Sequence, residues 1–452
     1  MPRVTVTADA ASLGETLELG RYSLGQGGVS DEPMFDAHVG ALQLLRLKLL
    51  RLFVQEYFHV YPAHGVYHWD SLDRCVDTIR RTGARPLMAI TLKPKVLFPV
   101  IDPTLVHPTD YAEWEELVAQ MVTHYRQRGS GIEYWEVFNE PDIGEIGGCP
   151  GLFTPEDYCT YYEHTARAIR RADPNAKVGG PALSYYGRPH MRALVEHCAT
   201  RRVPLDFVSW HGYSNDPALW PESIAKVKAL LAEFPQLACE TIIDEWNVSL
   251  RDPRPEPGYQ PCFLLESTRL FLEHGLSGSC FYHIRDWPMA AEQWAEFVTP
   301  EALQSFVAAG NLELTHLGLF DFQGIPRPSY FAFRLLSLLT GRRMQVTTDS
   351  RTVRALAAYH REHRALHVLL WNFAVETPPD VQVTLTVKGL EGNWRARRIV
   401  LDCETPGVLE NDRLKVKVLR TQAQATEITE TFPLPAYGIS LLFLKQIEGR
   451  WE

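Results

Sequence analysis

Residues 134–141 read Tyr-Trp-Glu-Val-Phe-Asn-Glu-Pro, a strand-like run that ends abruptly. Pro141 cannot donate a backbone hydrogen bond, so a strand cannot continue through it. A second run, residues 241–247, reads Thr-Ile-Ile-Asp-Glu-Trp-Asn and also passes from apolar residues into acidic ones. The sequence therefore predicts two strands that each end in a glutamate, Glu140 and Glu245.

Similar runs recur on either side, and helical patterns separate them. The apolar or β-branched runs lie at residues 49–53, 85–92, 132–138, 177–179, 205–210, 241–244 and 278–284, with an opening strand expected near 17–23. Strands that alternate with helices in this number predict a (β/α)8 barrel, which we place at residues 14–341. A doubly wound parallel sheet is the competing architecture, but it usually has fewer repeats. In a barrel, the active site lies at the C-terminal ends of the strands, where Glu140 and Glu245 are expected.

The pattern changes after Arg342 to alternation with a period of two. The alternating segments lie at residues 364–373, 381–388, 394–401, 414–419 and 439–445. Such segments, separated by turn residues, predict an antiparallel β-sandwich, which we place at residues 342–452 as an accessory domain. The N-terminal strand within residues 1–13 also alternates and is expected to join this domain.

Charge and composition exclude several classes of protein. The 452 residues carry a formal net charge of −10, whereas a nucleic-acid binder usually presents a basic face. No apolar run approaches the roughly 18 residues of a membrane span, and the N-terminus lacks the apolar core of a signal peptide. The eight cysteines form no C-x-x-C pair. We therefore expect a cytoplasmic protein that binds neither nucleic acid nor a membrane and uses no metal or organic cofactor.

Two carboxylates on separate strand ends can face each other across a barrel mouth. Cleavage of a glycosidic bond needs such a pair, since one group protonates the leaving oxygen while the other attacks or activates water. The alternative interpretation is that each acid only caps its strand or forms a surface ion pair.

The pair resembles that of clan A glycoside hydrolases, which carry the acid/base in Asn-Glu-Pro after the fourth strand and the nucleophile at the end of the seventh. The wider chain is similar to glycoside hydrolase family 39, the family of β-xylosidases and α-L-iduronidases. The matching stretches are residues 50–53, 67–70 with Asp73, 134–141, 206–213, 244–247, 318–320 and 324–330. The resemblance covers roughly residues 15–340 and implies a barrel with an accessory β-sandwich.

The resemblance also assigns roles. It makes Glu140 the acid/base and Glu245 the nucleophile, and it implies that Asn139 bonds the 2-hydroxyl of the sugar. An acid/base must be protonated near neutral pH, so apolar neighbours and the charge of Glu245 are expected to raise the pKa of Glu140. A nucleophile must stay ionised, which calls for donors, and Arg51 and Tyr213 are the candidates.

Several other side chains have both a functional and a structural interpretation. Arg51 could instead form a structural ion pair with Glu136. His211, at the end of the sixth strand, is expected to donate to a sugar hydroxyl, although such histidines are often hydrogen-bonded core residues. Trp287, after the eighth strand, is expected to give sugars an apolar platform unless it only packs in its loop. Two residues beyond the second and third strands are also expected to line the mouth: His59 and Lys93.

The implied function is a retaining glycoside hydrolase, in particular an exo-acting β-xylosidase on β-xylosides or short xylo-oligosaccharides. For this mechanism the carboxyl groups should be about 5–5.5 Å apart. The third strand ends in Thr-Leu-Lys-Pro-Lys at residues 91–95, more basic than is typical of the xylosidases. The alternatives are therefore a β-glucoside, a β-galactoside, an arabinoside or an acidic sugar such as an L-iduronide, or an inactive carbohydrate-binding protein.

Overall fold

Eight parallel strands close into a barrel in the computed structural model. The structure describes residues 1–26, 30–252, 254–287, 291–310, 316–404, 413–422 and 424–447. The first strand, β1 (Arg3–Thr16), lies outside the barrel. The barrel strands are β2 (Tyr22–Gly25), β3 (Leu49–Val54), β4 (Arg85–Ile90), β5 (Tyr134–Val137), β6 (Lys177–Leu183), β7 (Phe207–Tyr213), β8 (Glu240–Asn247) and β9 (Gly278–Tyr282). The predicted barrel is confirmed.

Helices connect the barrel strands and follow the last one. They are α1 (Asp36–Gln43), α2 (Asp70–Arg81), α3 (Tyr111–Gln127), α4 (Pro155–Ala172), α5 (Pro189–Arg201), α6 (Leu219–Ala232), α7 (Tyr259–Glu273), α8 (Ala291–Trp294), α9 (Pro300–Gly310) and α10 (Pro328–Leu336). The start of α4 shows why such segments become helices. The Thr154 hydroxyl accepts a hydrogen bond from the backbone of Asp157, and Pro155 occupies the first turn, where no amide donor is needed. Among the described residues, no helix is both long and apolar enough to cross a membrane.

The accessory β domain is a single mixed sheet of nine strands. Besides β1, it contains β10 (Arg342–Thr348), β11 (Val353–His360), β12 (Ala365–Asn372), β13 (Val381–Lys388), β14 (Asn393–Leu401), β15 (Leu414–Gln422), β16 (Glu427–Leu434) and β17 (Ile439–Ile447). Their order is β15-β14-β17-β12-β11-β10-β1-β13-β16, with β1 and β13 as the parallel pair. The predicted domain boundaries stay predictions, and residues 448–452 lie outside the described part.

The sheet and the barrel share one apolar core. Residues of the sheet such as Leu369, Trp371 and Leu441 belong to the same buried cluster as the barrel residues. The Trp371 indole also donates to Glu266 of α7 at 3.2 Å, so the buried polar group at this contact has a partner. The sheet therefore packs on the outer face of the barrel, against α7.

The interior position of β1, between β10 and β13, predicts that its buried face stabilises the sheet. Val6 is fully buried and pairs with Thr348 on one side and Leu385 on the other. Val6→Ala should lower the free energy of unfolding by about 2 kcal/mol, because two methyl groups leave a packed core. Urea denaturation followed by tryptophan fluorescence measures this loss. The matched control is Val416→Ala, since that valine is 57% exposed, and equal losses in the two variants would contradict the prediction.

Candidate active site

The acid at the end of β5 is turned into the barrel mouth by an unusual backbone. Phe138 has φ +73° and Glu140 has φ +46°, a left-handed region that non-glycine residues rarely adopt. The Glu140 amide donates to the carbonyl of Ala182, near the end of β6, at 2.9 Å. Backbone strain of this kind, of order 1–3 kcal/mol per residue, concentrates at functional sites.

The acid at the end of β8 is also placed by an irregular strand. The register between β7 and β8 shifts after Trp210, so that His211 lies opposite Glu245. Such shifts re-aim side chains near active sites. Both predicted glutamates are buried, with 7% exposure for Glu140 and 9% for Glu245.

The Arg51 guanidinium lies between the two strand ends and is 1% exposed. Its Nε donates to Glu136 Oε2 at 2.7 Å, and Nη2 donates to Asn139 Oδ1 at 2.6 Å. The same Nη2 lies 2.9 Å from Asp244 Oδ2, and Nη1 donates to Glu245 Oε2 at 3.2 Å. Arg51 therefore makes the ion pair with Glu136 and the contact with Glu245 at once, so the two interpretations of this residue are compatible.

Two more donors surround the carboxylates. The Tyr213 hydroxyl donates to Glu245 Oε1 at 2.6 Å. His211 Nδ1 lies 2.8 Å from Glu140 Oε1, and its Nε2 lies 3.4 Å from Asp244 Oδ2. Burial opposes a charged imidazole, but the Glu245, Asp244 and Glu140 carboxylates outweigh it and raise the pKa of His211 well above its usual value. The surrounding carboxylates therefore favour the protonated form of His211, which contacts Glu140.

The environment of Glu140 favours its protonated form. Burial raises the pKa of this carboxyl, the charge of Glu245 adds to the effect, and the contact with His211 opposes it. The net result is a pKa raised to about 7. A carboxyl with this pKa can donate a proton near neutral pH.

The carboxylates are close together. A carboxylate oxygen of Glu140, a carboxylate oxygen of Glu245 and a ring nitrogen of His211 all lie within 4.8 Å of one another. Three such atoms could also hold a cation. Because the carboxylates raise the pKa of His211, a metal ion would have to displace a proton from this imidazole in order to bind.

A cavity of about 720 Å³ opens over the pair. Besides Glu140, Glu245 and Tyr213, its wall comes from the loop after β5 and from the segment after β9. The loop contains a 3₁₀ helix, Gly144–Gly147, and the segment contributes, among others, Trp294, Thr299 and Phe306. The glycine-rich loop directly follows the Asn-Glu-Pro motif in the sequence, whereas the second segment was not predicted to line the mouth, although its cluster of aromatic residues was a usable signal.

Lys93 is buried behind this wall. Its ammonium donates to the carbonyl of Asp102 at 2.6 Å and to that of Pro150 at 3.0 Å. Burial lowers its pKa to about 8, although nearby acids oppose the effect. Lys93 thus joins the loops that follow β4 and β5, and it is not among the residues that line the cavity.

Two other predicted residues also lie apart from the cavity lining. The side chain of His59 is 60% exposed, and its Nδ1 lies 3.8 Å from a carboxylate oxygen of Glu296. Trp287 packs near Phe35, with ring centroids 6.1 Å apart, and below the guanidinium of Arg285. The structure therefore brings together Glu140, Glu245, Asn139, His211, Tyr213 and Arg51 through direct contacts. Of these, Glu140, Glu245 and Tyr213 line the cavity, and the other three lie behind them, whereas His59, Lys93 and Trp287 have partners outside this group.

Comparison with known proteins gives relatives with the same architecture. A β-xylosidase from Caldicellulosiruptor saccharolyticus is 24% identical over 79% of this chain and 77% of its own length. A β-xylosidase from Geobacillus stearothermophilus is 26% identical over 69% of this chain, and the match spans 62% of that relative. The crystal structure of a glucosidase from Croceicoccus marinus superposes with a TM-score of 0.77 at 17% identity, covering 99% of both chains.

The family assignment rests on a match to most of the chain. The model of glycosyl hydrolases family 39 matches residues 42–396, which include the barrel from β3 onward and the strands β10, β11, β12 and β13 of the accessory sheet. The chain therefore belongs to glycosyl hydrolases family 39 and is a glycoside hydrolase.

Proposed function

We propose that this protein is a retaining β-xylosidase that removes xylose from the non-reducing end of β-xylosides or short xylo-oligosaccharides. The observation that carries the mechanism is the closeness of the Glu140 and Glu245 carboxylates, whose oxygens lie within 4.8 Å. Retaining enzymes hold this pair about 5–5.5 Å apart, whereas inverting enzymes leave about 6.5–9.5 Å for a water molecule. The two β-xylosidases among the relatives support the choice of sugar.

The reaction takes two steps, which use opposite faces of the sugar ring: Glu245 acts on one face, and Glu140 and the water act on the other. In the first, a Glu245 oxygen attacks the anomeric carbon while Glu140 gives its proton to the glycosidic oxygen, so the carbon–oxygen bond breaks and the aglycone leaves as an alcohol. In the second, the Glu140 carboxylate takes a proton from water, and the resulting hydroxide attacks the anomeric carbon and releases Glu245. Two inversions leave the configuration of the sugar unchanged.

The surrounding donors orient these groups. Tyr213 and Arg51 each donate to one oxygen of Glu245, which fixes the plane of the attacking carboxylate. Asn139 accepts from Arg51 through Oδ1, so its amide NH₂ is left to donate to the 2-hydroxyl of the sugar. That bond strengthens as the oxocarbenium-like transition state forms. His211 acts on Glu140 as a positioning residue.

The nucleophile assignment predicts the effect of one isosteric change. Glu245→Gln should lower kcat/KM on nitrophenyl β-xyloside by about 10⁴-fold or more, because an amide cannot form the glycosyl–enzyme bond. The matched control is Glu240→Gln on the same strand, where the carboxylate pairs with Lys177 at the opposite end of the barrel. A panel of nitrophenyl glycosides tested alongside identifies the sugar. Turnover that survives Glu245→Gln would contradict the assignment.

The raised pKa of Glu140 predicts the pH profile. The acid is lost as pH rises through its pKa, so kcat/KM should fall tenfold per pH unit on the alkaline side of about 7. His211→Asn removes the cation that lowers this pKa, so the alkaline limb should move to higher pH, together with a loss of rate. His197→Asn, which alters an ion pair with Glu163 on the outer helices, is the control. An alkaline limb that stays in place or moves down in His211→Asn would refute this account.

A further inference from the structure

The wall beside the acid/base is made by the backbone of the loop after β5. A Cβ added to Gly147 would lie 1.8 Å from Glu140 Oε2, so the end of the 3₁₀ helix Gly144–Gly147 packs directly on the acid/base carboxyl. Because Glu140 protonates the leaving oxygen, the residues around Gly147 face the leaving group.

The side chains of this wall are apolar. Ile143 is half-buried, and Ile146 is 79% exposed at the edge of the cavity. The ring of Trp294 lies against the neighbouring Gly148, where an added Cβ would be 3.0 Å from it. Phe306 packs on Trp294 with ring centroids 5.2 Å apart. Aliphatic and aromatic groups thus surround the place where the aglycone must lie.

Most polar groups near this wall are engaged or exposed. Gln55 donates through Nε2 to the carbonyl of Gly148 and keeps only its Oε1 without a partner, and the Ser184 hydroxyl donates to Asp142. The Glu145 carboxylate accepts from the Thr299 amide at 2.6 Å and from its hydroxyl at 2.7 Å. Arg251 and Glu301 also line the cavity, but both are exposed and keep their own hydration. In contrast, the donors Arg51 and Tyr213 are directed at the Glu245 side of the cavity.

We propose that the leaving-group site accepts an apolar aglycone, an alkyl, cycloalkyl or aryl alcohol, in preference to a second sugar. This inference rests on the proposed function and specifies its substrates further. A sugar in this position would give up water bonds to its hydroxyls without enough partners. An apolar group gains from burial instead, roughly fourfold in affinity for each methylene removed from water.

The test compares methyl, n-butyl and cyclohexyl β-xylosides with xylobiose. The three alcohols are similarly acidic, so differences in kcat/KM report contacts of the aglycone and not leaving-group reactivity. We expect kcat/KM to rise at least tenfold from methyl to cyclohexyl and xylobiose to fall below the cyclohexyl xyloside. A flat series, or xylobiose as the best substrate, would overturn the proposal.

A variant pair locates the site. Ile146→Ser should lower the ratio of cyclohexyl to methyl kcat/KM about fivefold or more, and its exposure makes loss of folding a small risk. Ile325→Ser is the matched control, since Ile325 is 48% exposed and is not among the residues lining this cavity. An unchanged ratio in Ile146→Ser would refute the assignment of this wall.

The design separates this inference from the proposed function. If the protein cleaves no xyloside but cleaves a glycoside of another sugar in the panel, the proposed glycone is wrong. The ratio of cyclohexyl to methyl kcat/KM, measured on glycosides of that other sugar, then tests the apolar aglycone site. If no glycoside is cleaved, the proposed function fails. Calorimetry then compares the affinities of the wild-type protein for cyclohexyl and methyl β-xyloside. Tighter binding of the cyclohexyl xyloside would support the apolar aglycone site, and equal affinities would overturn it.

Discussion

The site depends on one buried cation. Arg51 extends from β3 into a group of acids on β5 and β8, with contacts to Glu136, Asp244 and Glu245 that are all 3.2 Å or shorter. These carboxylates lose hydration on folding, and a buried acid left without its partner typically costs 3–5 kcal/mol. The guanidinium can satisfy several acids at once because its donors point outward in a fixed plane. The contacts of Arg51 therefore both stabilise the fold and orient the reacting carboxylates.

Glu140 and Glu245 are the same residue type, but their different surroundings suit them to different chemical roles. Glu140 is packed against the glycine-rich loop and has a raised pKa, whereas Glu245 receives direct hydrogen bonds from Arg51 and Tyr213. One carboxyl is suited to give a proton and the other to attack, which is the usual way in which a pair of acids is separated into two roles. His211 connects them, since it contacts Glu140 and lies opposite Glu245 in the sheet.

The strands were predictable because apolar runs alternate with helical patterns, and the two glutamates because the runs that become β5 and β8 each lead into an acid. Both are local signals. All eight barrel strands lie at or near their predicted positions. The strands β10, β11 and β16 were not predicted, although the burial of β16 alternates along its length. Two other features were not predictable: the bonds from Lys93 to the carbonyls of Asp102 and Pro150, and the place of Trp294 in the cavity wall. Both depend on loops that come together only in the folded protein, and residue spacing along the chain does not reveal which loops meet. For the same reason Trp287, at the expected end of β9, packs away from the cavity lining.

The most direct test of the central claim is to trap the covalent intermediate. A 2-deoxy-2-fluoro-β-xyloside with a dinitrophenyl leaving group slows both steps but leaves the first faster, so a sugar stays attached to a retaining enzyme. Mass spectrometry of the digested protein should find that sugar on the peptide that contains Glu245, with stoichiometric loss of activity. A label on any other residue, or release of the inverted sugar without a label, would contradict the account.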